Sequence, residues 1–352
     1  MKILITGGAG FIGSNLCEYF VDKGYDVTCL DNLSTGFMHN IEPLLEKDNF
    51  RFIKGDIRDL LTCRDAVKGC EAVLQQAALG SVPRSINDPI TTNNTNIDGF
   101  LNMLVASRDE GVKRFVYAAS SSTYGDSKEL PKIEHNIGRP LSPYAITKFV
   151  NELYANVFSD LYGMQTIGLR YFNVFGRRQD PNGAYAAVIP LWVKALIRHE
   201  SPFINGDGSY SRDFTYIDNV IQANELAMIT SREDLLERAK LYNMNLPANA
   251  PIDMVFNVAY GGNTTLLQLF SCLRDNLAKF DPEIAHVEPT FRGNRAGDIP
   301  HSQASILKAQ KILGYRPQYD AVTGFQQACE WYWNNLKCKS FLLLAVTRVS
   351  EA

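Results

Sequence analysis

Tyr144 and Lys148 are the residues whose types and spacing indicate acid–base chemistry most directly. They are four positions apart in SPYAITK (142–148), so in a helix both side chains lie on one face, one turn apart. An ammonium near a phenol favours the phenolate, and would lower the pKa of Tyr144 from about 10 towards neutrality. The pair is predicted to exchange a proton with a ligand. The alternative is two surface residues on an amphipathic helix.

A run of hydroxyl side chains, SSSTYG at 120–125, precedes this pair. Beside a nicotinamide cofactor, a serine, a tyrosine and a lysine form an acid–base set for oxidising a carbinol. The tyrosine takes the hydroxyl proton while hydride leaves carbon. A tyrosine and a lysine at this spacing are common, so this prediction depends on whether the chain binds such a cofactor.

The first 31 residues indicate a dinucleotide site. An apolar strand-like run at 3–5 precedes glycines at Gly7, Gly10 and Gly13, then a helical pattern, a second strand and Asp31. Glycines let the backbone approach a pyrophosphate, and the first N–H groups of the helix face its charge. Asp31 can accept hydrogen bonds from the adenosine ribose and would repel a 2′-phosphate. The sequence therefore predicts NAD rather than NADP.

The remaining elements predict the frame that positions these residues. Strand-like runs lie at 51–57, 72–78, 114–120 and 165–171, with helical patterns such as 97–111 and 144–163 between them. This alternation predicts a Rossmann-type doubly wound parallel sheet, whose ligands bind at the carboxyl ends of the strands. The predicted fold is thus α/β, with a smaller C-terminal α/β substrate lobe.

The predicted domain boundaries follow changes in composition. The NAD-binding domain covers 1–172, and 213–230 and part of 253–262 return to it. Loops rich in Gly, Pro, Asn and Arg assign 173–212 and 263–337 to the substrate lobe. The segment 231–252 is interpreted as a surface insertion and 338–352 as a tail.

Composition argues against several other classes. The net charge of −3 gives no indication of a nucleic-acid or membrane partner. The seven cysteines are scattered without a CxxC pair, as is typical of a reducing compartment. The five histidines lack metal-ligand spacing, so no metal is expected. The N-terminus resembles neither a signal peptide nor a membrane span, so a cytoplasmic location is expected.

Over about residues 1–337 the chain resembles the extended short-chain dehydrogenase/reductases, and more narrowly the nucleotide-sugar 4-epimerases. The motifs that carry the resemblance are TGGAGFIG (6–13), DNLSTG (31–36), GDIRD (55–59), SSSTYG (120–125), SPYAITK (142–148), RYFNVFG (170–176), GDGSYSRDF (206–214) and RAGDIPHSQAS (295–305). The runs AALGSVPRSINDP (77–89) and FGRRQDPNGAYAAVIP (175–190) are similar to the UDP-N-acetylglucosamine 4-epimerase branch, which acts on UDP-N-acetylhexosamines.

The resemblance implies a set of cofactor contacts. These are Gly7, Gly10, Phe11, Ile12 and Gly13 at the pyrophosphate, Asp31, Asn32, Ser34, Thr35 and Gly36 at the adenosine, Asp56 and Ile57 at the adenine, and Gln76, Ala77, Ala78 and Val174 beside the cofactor. Many relatives carry histidine near Gln76. Tyr144 and Lys148 match the catalytic pair. The spacing S-x-x-x-Y-G gives Ser120 as the catalytic serine, although Ser121 and Ser122 remain candidates and could instead reach the sugar.

The resemblance also implies contacts to a UDP-sugar. They are Ser81, Asn173, Ala187, Val188, Arg212, Arg295, Asp298 and Ser302, together with Tyr144, Ser121 and Ser122. Asn173 matches the position that holds the diphosphate, and two arginines suit that group. The alternative for the arginines is solvated loop charge. Family members are commonly homodimers that pack through helices equivalent to 97–111 and 144–163.

Two features predict the reaction and the sugar. Relatives that dehydrate or decarboxylate carry carboxylates where this chain has Ser121 and Ser122, so simple reversible oxidation at C4 is predicted. Ser302 matches a wall position that is tyrosine in relatives restricted to unacetylated sugars, which leaves room for an N-acetyl group. The expected pair is UDP-GlcNAc and UDP-GalNAc, or their uronic acids. The alternatives are a UDP-glucose or UDP-glucuronate 4-epimerase, or a non-catalytic NAD-sensing protein.

Overall fold

The computed structural model describes residues 1–183, 186–242, 244, 252–293 and 299–349, with side chains described as far as Leu336. The strands are β1 (Lys2–Thr6), β2 (Asp26–Asp31), β3 (Phe50–Lys54), β4 (Ala72–Gln75), β5 (Arg114–Ser120), β6 (Gln165–Tyr171), β7 (Val174–Phe175), β8 (Phe203–Asn205), β9 (Ser211–Arg212), β10 (Thr215–Tyr216), β11 (Asp253–Val258), β12 (Thr264–Thr265) and β13 (Thr290–Arg292). The helices are α1 (Phe11–Asp22), α2 (Leu60–Val67), α3 (Val82–Asn87), α4 (Pro89–Asn93), α5 (Gly99–Glu110), α6 (Pro143–Tyr162), α7 (Val188–Ile197), α8 (Ile217–Ile229), α9 (Arg232–Leu241), α10 (Leu266–Leu277) and α11 (Ala321–Val349).

The central sheet has seven parallel strands in the order β11-β6-β5-β4-β1-β2-β3. Successive residues of β1 enter opposite cores, with Ile3 and Ile5 in one buried cluster and Leu4 in the other. Both faces of the sheet are therefore covered, because side chains alternate between the faces of a strand. Helices α1 and α8 pack on one face, and α2, α5 and α6 on the other. The predicted Rossmann-type fold is confirmed.

The strand ends differ from the sequence prediction where they border the site. β5 and β6 have the predicted bounds, but β3 ends at Lys54 and β4 at Gln75, three residues before the predicted ends of 51–57 and 72–78. The residues beyond those ends, including Asp56 and Gln76, leave the sheet and line a cavity. The sequence pattern did not separate a strand from the loop that follows it.

Helix α6 begins and ends at clear local signals. The Ser142 hydroxyl accepts a hydrogen bond from the Ala145 amide at 3.1 Å, and Pro143 occupies the first turn. Gly163 ends the helix with φ of 67°, a conformation that glycine adopts readily. Tyr144 is thereby held in the first turn of a helix that packs on the sheet.

The second lobe is built from short elements around α7, α10 and α11. The Trp192 and Phe270 rings meet edge to face at 6.3 Å between α7 and α10.

Strand β11 joins the main sheet beside β6, within the segment predicted to return to the first domain. In the predicted surface insertion, α9 buries Leu235 and Ala239, so this helix packs into the core. The backbone of α11 continues to Val349, into the predicted tail. The domain boundaries themselves stay a prediction.

Candidate active site

The glycine turn connects β1 to α1 and forms a cradle for a phosphate group. Gly7 has φ of 64°, and its amide donates to the Leu30 carbonyl at 2.8 Å. A Cβ atom on Gly13 would lie 2.1 Å from the Gly7 carbonyl oxygen, so only glycine lets α1 start this close to the strand. The N-terminus of α1 then faces the turn, as a pyrophosphate requires. The turn fits a dinucleotide.

The adenosine end of the site is organised by Asp31 at the end of β2. Its Oδ2 accepts from the Ala9 amide at 3.0 Å, and its Oδ1 accepts from the Leu33 amide at 2.7 Å. Burial raises the pKa of Asp31, while these backbone amides lower it. Each carboxylate oxygen keeps a lone pair for a ribose hydroxyl. Gly36 packs against Ala9 and Asp31, and it supports the loop without lining the cavity.

Asp56 is the second acid at this end. Its carboxylate accepts from Arg58 Nη2 at 2.7 Å and from Asn32 Nδ2 at 2.8 Å. The Arg58 side chain is the main reason that the pKa of Asp56 falls to about 2. Asp56 is therefore a carboxylate at any pH near neutrality.

One cavity of about 610 Å³ runs along the carboxyl edge of the sheet and joins these parts. Of the predicted residues it is lined by Gly7, Gly10, Phe11, Ile12, Gly13, Asp31, Asn32, Ser34, Thr35, Asp56, Ile57, Gln76, Ala77, Ala78, Ser120, Tyr144, Lys148, Val174 and Ala187. The glycine turn and the tyrosine–lysine pair therefore border one continuous space, as predicted from the strand ends.

The predicted catalytic pair, Tyr144 and Lys148, lies where α6 crosses the end of β5. The Lys148 ammonium donates to the Ala118 carbonyl at 2.7 Å. Burial lowers the pKa of Lys148 to about 8, and the Glu152 carboxylate opposes this shift. The predicted lowering of the Tyr144 pKa by Lys148 is not found. Burial raises the pKa of Tyr144, and the group that lowers it is the Ser120 hydroxyl.

The three serines of the run 120–122 differ in whether they line the cavity. Ser120 is the last residue of β5 and lines the cavity, whereas Ser121 and Ser122 do not. The Ser122 hydroxyl donates to the Ser120 hydroxyl oxygen at 2.9 Å. Ser120 is thus oriented by one serine and interacts with Tyr144, which favours it as the serine that contacts the reacting oxygen.

Several predicted sugar contacts meet outside the cavity lining. The Asn173 side chain donates to the Asp213 carbonyl at 3.3 Å, and the Ser302 amide donates to the Ser211 carbonyl at 3.1 Å. Arg212 lies between these partners in the chain, so it is adjacent to both. Val188 is the first residue of α7, and the Ser81 hydroxyl accepts from the Arg84 amide at the start of α3. Arg295 and Asp298 lie outside the described residues.

Asp213 ties this region together, and sequence reasoning missed it. Its carboxylate is buried and accepts from the amides of Gly261 at 3.2 Å and Ala304 at 3.1 Å. Burial raises the pKa of Asp213 to about 7, although these amides act in the opposite direction. The acid joins the 211–213, 260–262 and 302–304 segments, which a sequence pattern cannot relate to each other.

The cavity also has walls that sequence reasoning did not predict. They are Leu30, Phe37, Gly55, Leu79, Gly80, Arg84, Thr95, Ala118, Ala119, Tyr171, Gln179, Asp180, Gly183 and Ala186. Half of them adjoin a predicted residue in the chain. Tyr171 belongs to a buried network in which its hydroxyl donates to Gln76 Oε1 at 3.0 Å and accepts from Asn224 Nδ2 at 2.9 Å.

A dinucleotide cradle and a Ser–Tyr–Lys set at one edge of a doubly wound sheet define an enzyme of the short-chain dehydrogenase/reductase type. Residues 3–243 match the model of the NAD dependent epimerase/dehydratase family. The chain therefore belongs to this family, and its cofactor is NAD. The predicted enzyme class, an NAD-dependent nucleotide-sugar 4-epimerase, is confirmed by this match and by the relatives.

Three relatives show the extent of the similarity. A putative UDP-glucose 4-epimerase of Methanocaldococcus jannaschii is 34% identical over 335 residues, covering 95% of this chain and 99% of the relative. The solved UDP-N-acetylglucosamine 4-epimerase of Methanobrevibacter ruminantium, in complex with UDP-N-acetylmuramic acid, is 34% identical with a TM-score of 0.82, covering 95% and 98% of the two chains. The Thermotoga maritima UDP-glucose 4-epimerase with UDP-glucose is 34% identical with a TM-score of 0.83, covering 96% and 100%.

The described residues form neither a membrane span nor a metal centre. No helix among them is long and apolar enough to cross a membrane. Within the same part of the chain, no group of three or more His, Cys, Asp or Glu side chains is arranged to hold a metal ion.

Proposed function

We propose that this enzyme interconverts UDP-GlcNAc and UDP-GalNAc, or the matching uronic acids, through a 4-keto sugar. The observation that carries this proposal is the Ser120–Tyr144–Lys148 set beside a cavity that also reaches the dinucleotide turn. A carbinol bound beside these three residues can lose its proton to Tyr144 and its hydride to a cofactor bound in the same cavity. The family relationship supports the same chemistry.

The chain's own residues would handle the proton. When bound, NAD supplies the hydride acceptor and, in the second half of the cycle, the hydride donor. Tyr144 would take the proton of the 4-hydroxyl and return it to the reduced sugar. Ser120 would hold the same substrate oxygen, and Lys148 would stabilise the tyrosinate with its positive charge. A bound cationic nicotinamide would act in the same direction.

The serine run supports epimerisation over elimination. Expelling a 6-hydroxyl or removing the C5 proton needs an acid or a base beside the sugar. Ser121 and Ser122 hold the positions where such a group stands in relatives that dehydrate or decarboxylate. The chain therefore returns the hydride to C4, and the cofactor is regenerated in each cycle.

Ser302 supports the preference for an acetylated sugar. Its amide donates to Ser211, which places it next to Arg212, the predicted diphosphate contact. A serine at this position, outside the cavity lining, leaves space that a tyrosine ring would fill. The small Ala187 side chain lines the cavity itself. The relationship to the Methanobrevibacter enzyme is consistent with this choice.

The second candidate is a 4-epimerase of unacetylated UDP-glucose or of UDP-glucuronate. It is favoured by the UDP-glucose 4-epimerases of M. jannaschii and T. maritima, which are as similar to the chain as the acetylglucosamine enzyme. An NAD-sensing protein without catalysis would not need a tyrosine and a buried lysine beside the cofactor cavity, so we place it last.

The decisive experiment compares UDP-GlcNAc, UDP-GalNAc, UDP-glucose and UDP-glucuronate in parallel with one preparation of purified enzyme. The cofactor released on denaturation is identified first, and product formation at C4 is then followed for each sugar. We expect NAD in the protein and the highest kcat/KM for an acetylated sugar. If the glucose or glucuronate substrate has the highest value, the acetylated preference is wrong, whereas the reaction type stands.

A second copy of the chain is the protein partner that we propose. Ile146, Leu153, Val157 and Leu161 on α6 are each about half exposed or more, and they repeat along one side of the helix. Family members commonly pair through this helix and the one equivalent to α5. Apolar residues scattered singly over a surface are normal, but a contiguous apolar stripe marks an interaction site. A homodimer would cover this stripe. The cytoplasmic location stays a prediction.

A further inference from the structure

Phe37 is an aromatic residue in the wall of the cavity for which no motif gives a role. It follows the DNLSTG loop directly and lines the cavity together with Asn32, Ser34 and Thr35. Its side chain is 39% exposed, although the neighbouring Gly36 is buried. A half-exposed phenyl ring in a cavity wall is apolar surface that a ligand can remove from water.

The backbone of Phe37 is fixed to the glycine turn. Its amide donates to the Ala9 carbonyl at 3.0 Å, and the Asn40 side chain donates to the same oxygen at 2.9 Å. The Ala9 amide in turn donates to Asp31 at 3.0 Å. One residue of the turn, Ala9, therefore holds both the acid and the aromatic residue in place, so a ligand bound at the turn meets the ring without any rearrangement of the loop.

The ring is supported from one side. Phe37 and His39 stack with centroids 5.2 Å apart and ring planes 26° from parallel. The stack covers one face of Phe37 and restricts its motion, which lowers the entropy lost when a ligand packs on the remaining surface.

The part of the cofactor that reaches Phe37 follows from the topology. The loop at 31–37 leaves the carboxyl end of β2, whereas Ser120 ends β5 and Tyr144 lies on α6. The nicotinamide must lie near Tyr144, so the 31–37 loop meets the adenosine. Among the described residues that line the cavity, the cationic side chains are Arg84 and Lys148, and neither belongs to this loop. The loop thus offers a carboxylate and an aromatic ring, which suit a ribose with a free 2′-hydroxyl.

We propose that Phe37 is a cofactor-binding residue whose ring packs on the adenosine of NAD and slows its release. An epimerase regenerates its cofactor in every cycle, so retention costs the enzyme no turnover. Phe37 closes the adenosine end of the cavity, and Asp31 selects the cofactor there by its charge.

The test compares Phe37→Ala with a matched control, Phe280→Ala. Phe280 is 41% exposed and stacks on Trp333 at 5.4 Å, but it lies outside the cavity lining. Two readouts need no sugar. The NAD content of each purified protein is measured after denaturation, and the Kd for added NAD is measured by calorimetry on cofactor-free protein. Phe37→Tyr serves as the conservative variant, and thermal unfolding confirms that each variant is folded.

We expect Phe37→Ala to bind NAD about 5- to 30-fold more weakly and to lose its cofactor during purification. Phe37→Tyr and Phe280→Ala should retain both the cofactor and the wild-type Kd. The proposal is overturned if Phe37→Ala keeps the wild-type Kd, or if Phe280→Ala loses as much affinity. Because these measurements contain no sugar, their outcome is independent of which sugar the enzyme epimerises.

Discussion

Tyr144 is the residue on which the proposed chemistry depends, and its surroundings shift the pKa of its phenol in opposite directions. Burial raises the pKa of its phenol, and the Ser120 hydroxyl lowers it. The Lys148 ammonium donates to the Ala118 carbonyl at 2.7 Å, which fixes the cation one turn along the same helix. A phenol in a desolvated site needs a positive charge nearby to become a base, so the proposed mechanism requires Lys148 to stay protonated.

Tyr144→Phe should abolish epimerisation without removing NAD. The change deletes one hydroxyl and keeps the ring, so the cavity shape is preserved while the proton acceptor is lost. We expect turnover to fall by a factor of about 100 to 10,000 with unchanged NAD content. Tyr162→Phe, on an exposed tyrosine at the other end of α6, is the matched control. Wild-type turnover in Tyr144→Phe would refute the mechanism.

Ser302→Tyr should change the choice of sugar more than the reaction. The new ring would fill the space proposed for the N-acetyl group, so turnover of UDP-GlcNAc should be lost while that of unacetylated sugars persists or improves. Initial rates on both sugar classes measure this. Ser209→Tyr, at an exposed position of the same lobe, should leave both rates unchanged. Equal turnover of acetylated sugars before and after the Ser302 change would contradict the size argument.

At the scale of elements, α6 connects Lys148, the proposed catalytic lysine, to a buried ion pair. Glu152, one turn beyond Lys148, binds Arg170 of β6 through two hydrogen bonds of 2.7 and 2.8 Å. Both side chains are buried, and Arg170 also donates to the Glu134 carbonyl at 2.8 Å. The pair anchors α6 against the sheet, and the Glu152 carboxylate also raises the pKa of Lys148 against the effect of burial.

This arrangement predicts an alkaline limit to activity. The pKa of Lys148 is lowered to about 8, so its charge is present below that pH and lost above it. Turnover should therefore fall as the pH rises through about 8. Glu152→Gln removes the charge that raises this pKa, so the alkaline limb of the pH profile, where turnover falls, should move to lower pH. A pH profile of kcat on both enzymes measures the shift.

The control must separate this effect from a loss of stability. Glu152→Gln leaves a buried arginine without its counter-ion, which costs about 3–5 kcal/mol of unfolding free energy. Glu134→Gln changes another buried carboxylate near Arg170 that is not among the groups acting on Lys148. It should lower the melting temperature and leave the alkaline limb in place. An unshifted limb in Glu152→Gln would show that the ion pair is only structural.

The elements that sequence predicted well are those with strong local signals. The bounds of β5 and β6 follow from apolar runs, and α6 from a serine cap and a terminal glycine. The start of α5 was misplaced because a π-helical turn, Asn94–Asp98, precedes it. No local pattern predicts such a turn, since π-helical turns are rare and occur mostly as single turns within helices.

At the scale of the whole molecule, the site is assembled from distant segments. The motifs predicted the glycine turn and the cavity position of Ser120 because both lie at the end of a strand, whereas Tyr144 and Lys148 are related by their spacing within one helix. The contacts around Asp213 could not be predicted, since Ser211 and His301 are paired across 90 positions. Their proximity depends on how the second lobe folds back on the sheet. A single sequence contains no local pattern that predicts this.

The outer face of α6 extends this argument beyond one chain. Leu153, in the middle of the helix, is 52% exposed, while Glu152 beside it is buried against the sheet. The helix thus has a buried side, which carries the proposed catalytic lysine, and an apolar outer side. Exposing the apolar outer side to water costs free energy. Covering it with a second copy would support the helix that carries Tyr144 and Lys148.

Leu153→Glu should therefore produce a monomer, because a carboxylate would be buried in the proposed interface. Light scattering coupled to size exclusion measures the mass, and Leu241→Glu is the control, since Leu241 is 80% exposed on α9. We expect twice the chain mass for wild type and Leu241→Glu, and the single-chain mass for Leu153→Glu. A wild-type monomer, or a Leu153→Glu dimer, would contradict pairing through this face. A monomeric variant with lower turnover and unchanged bound NAD would indicate that pairing stabilises the catalytic helix.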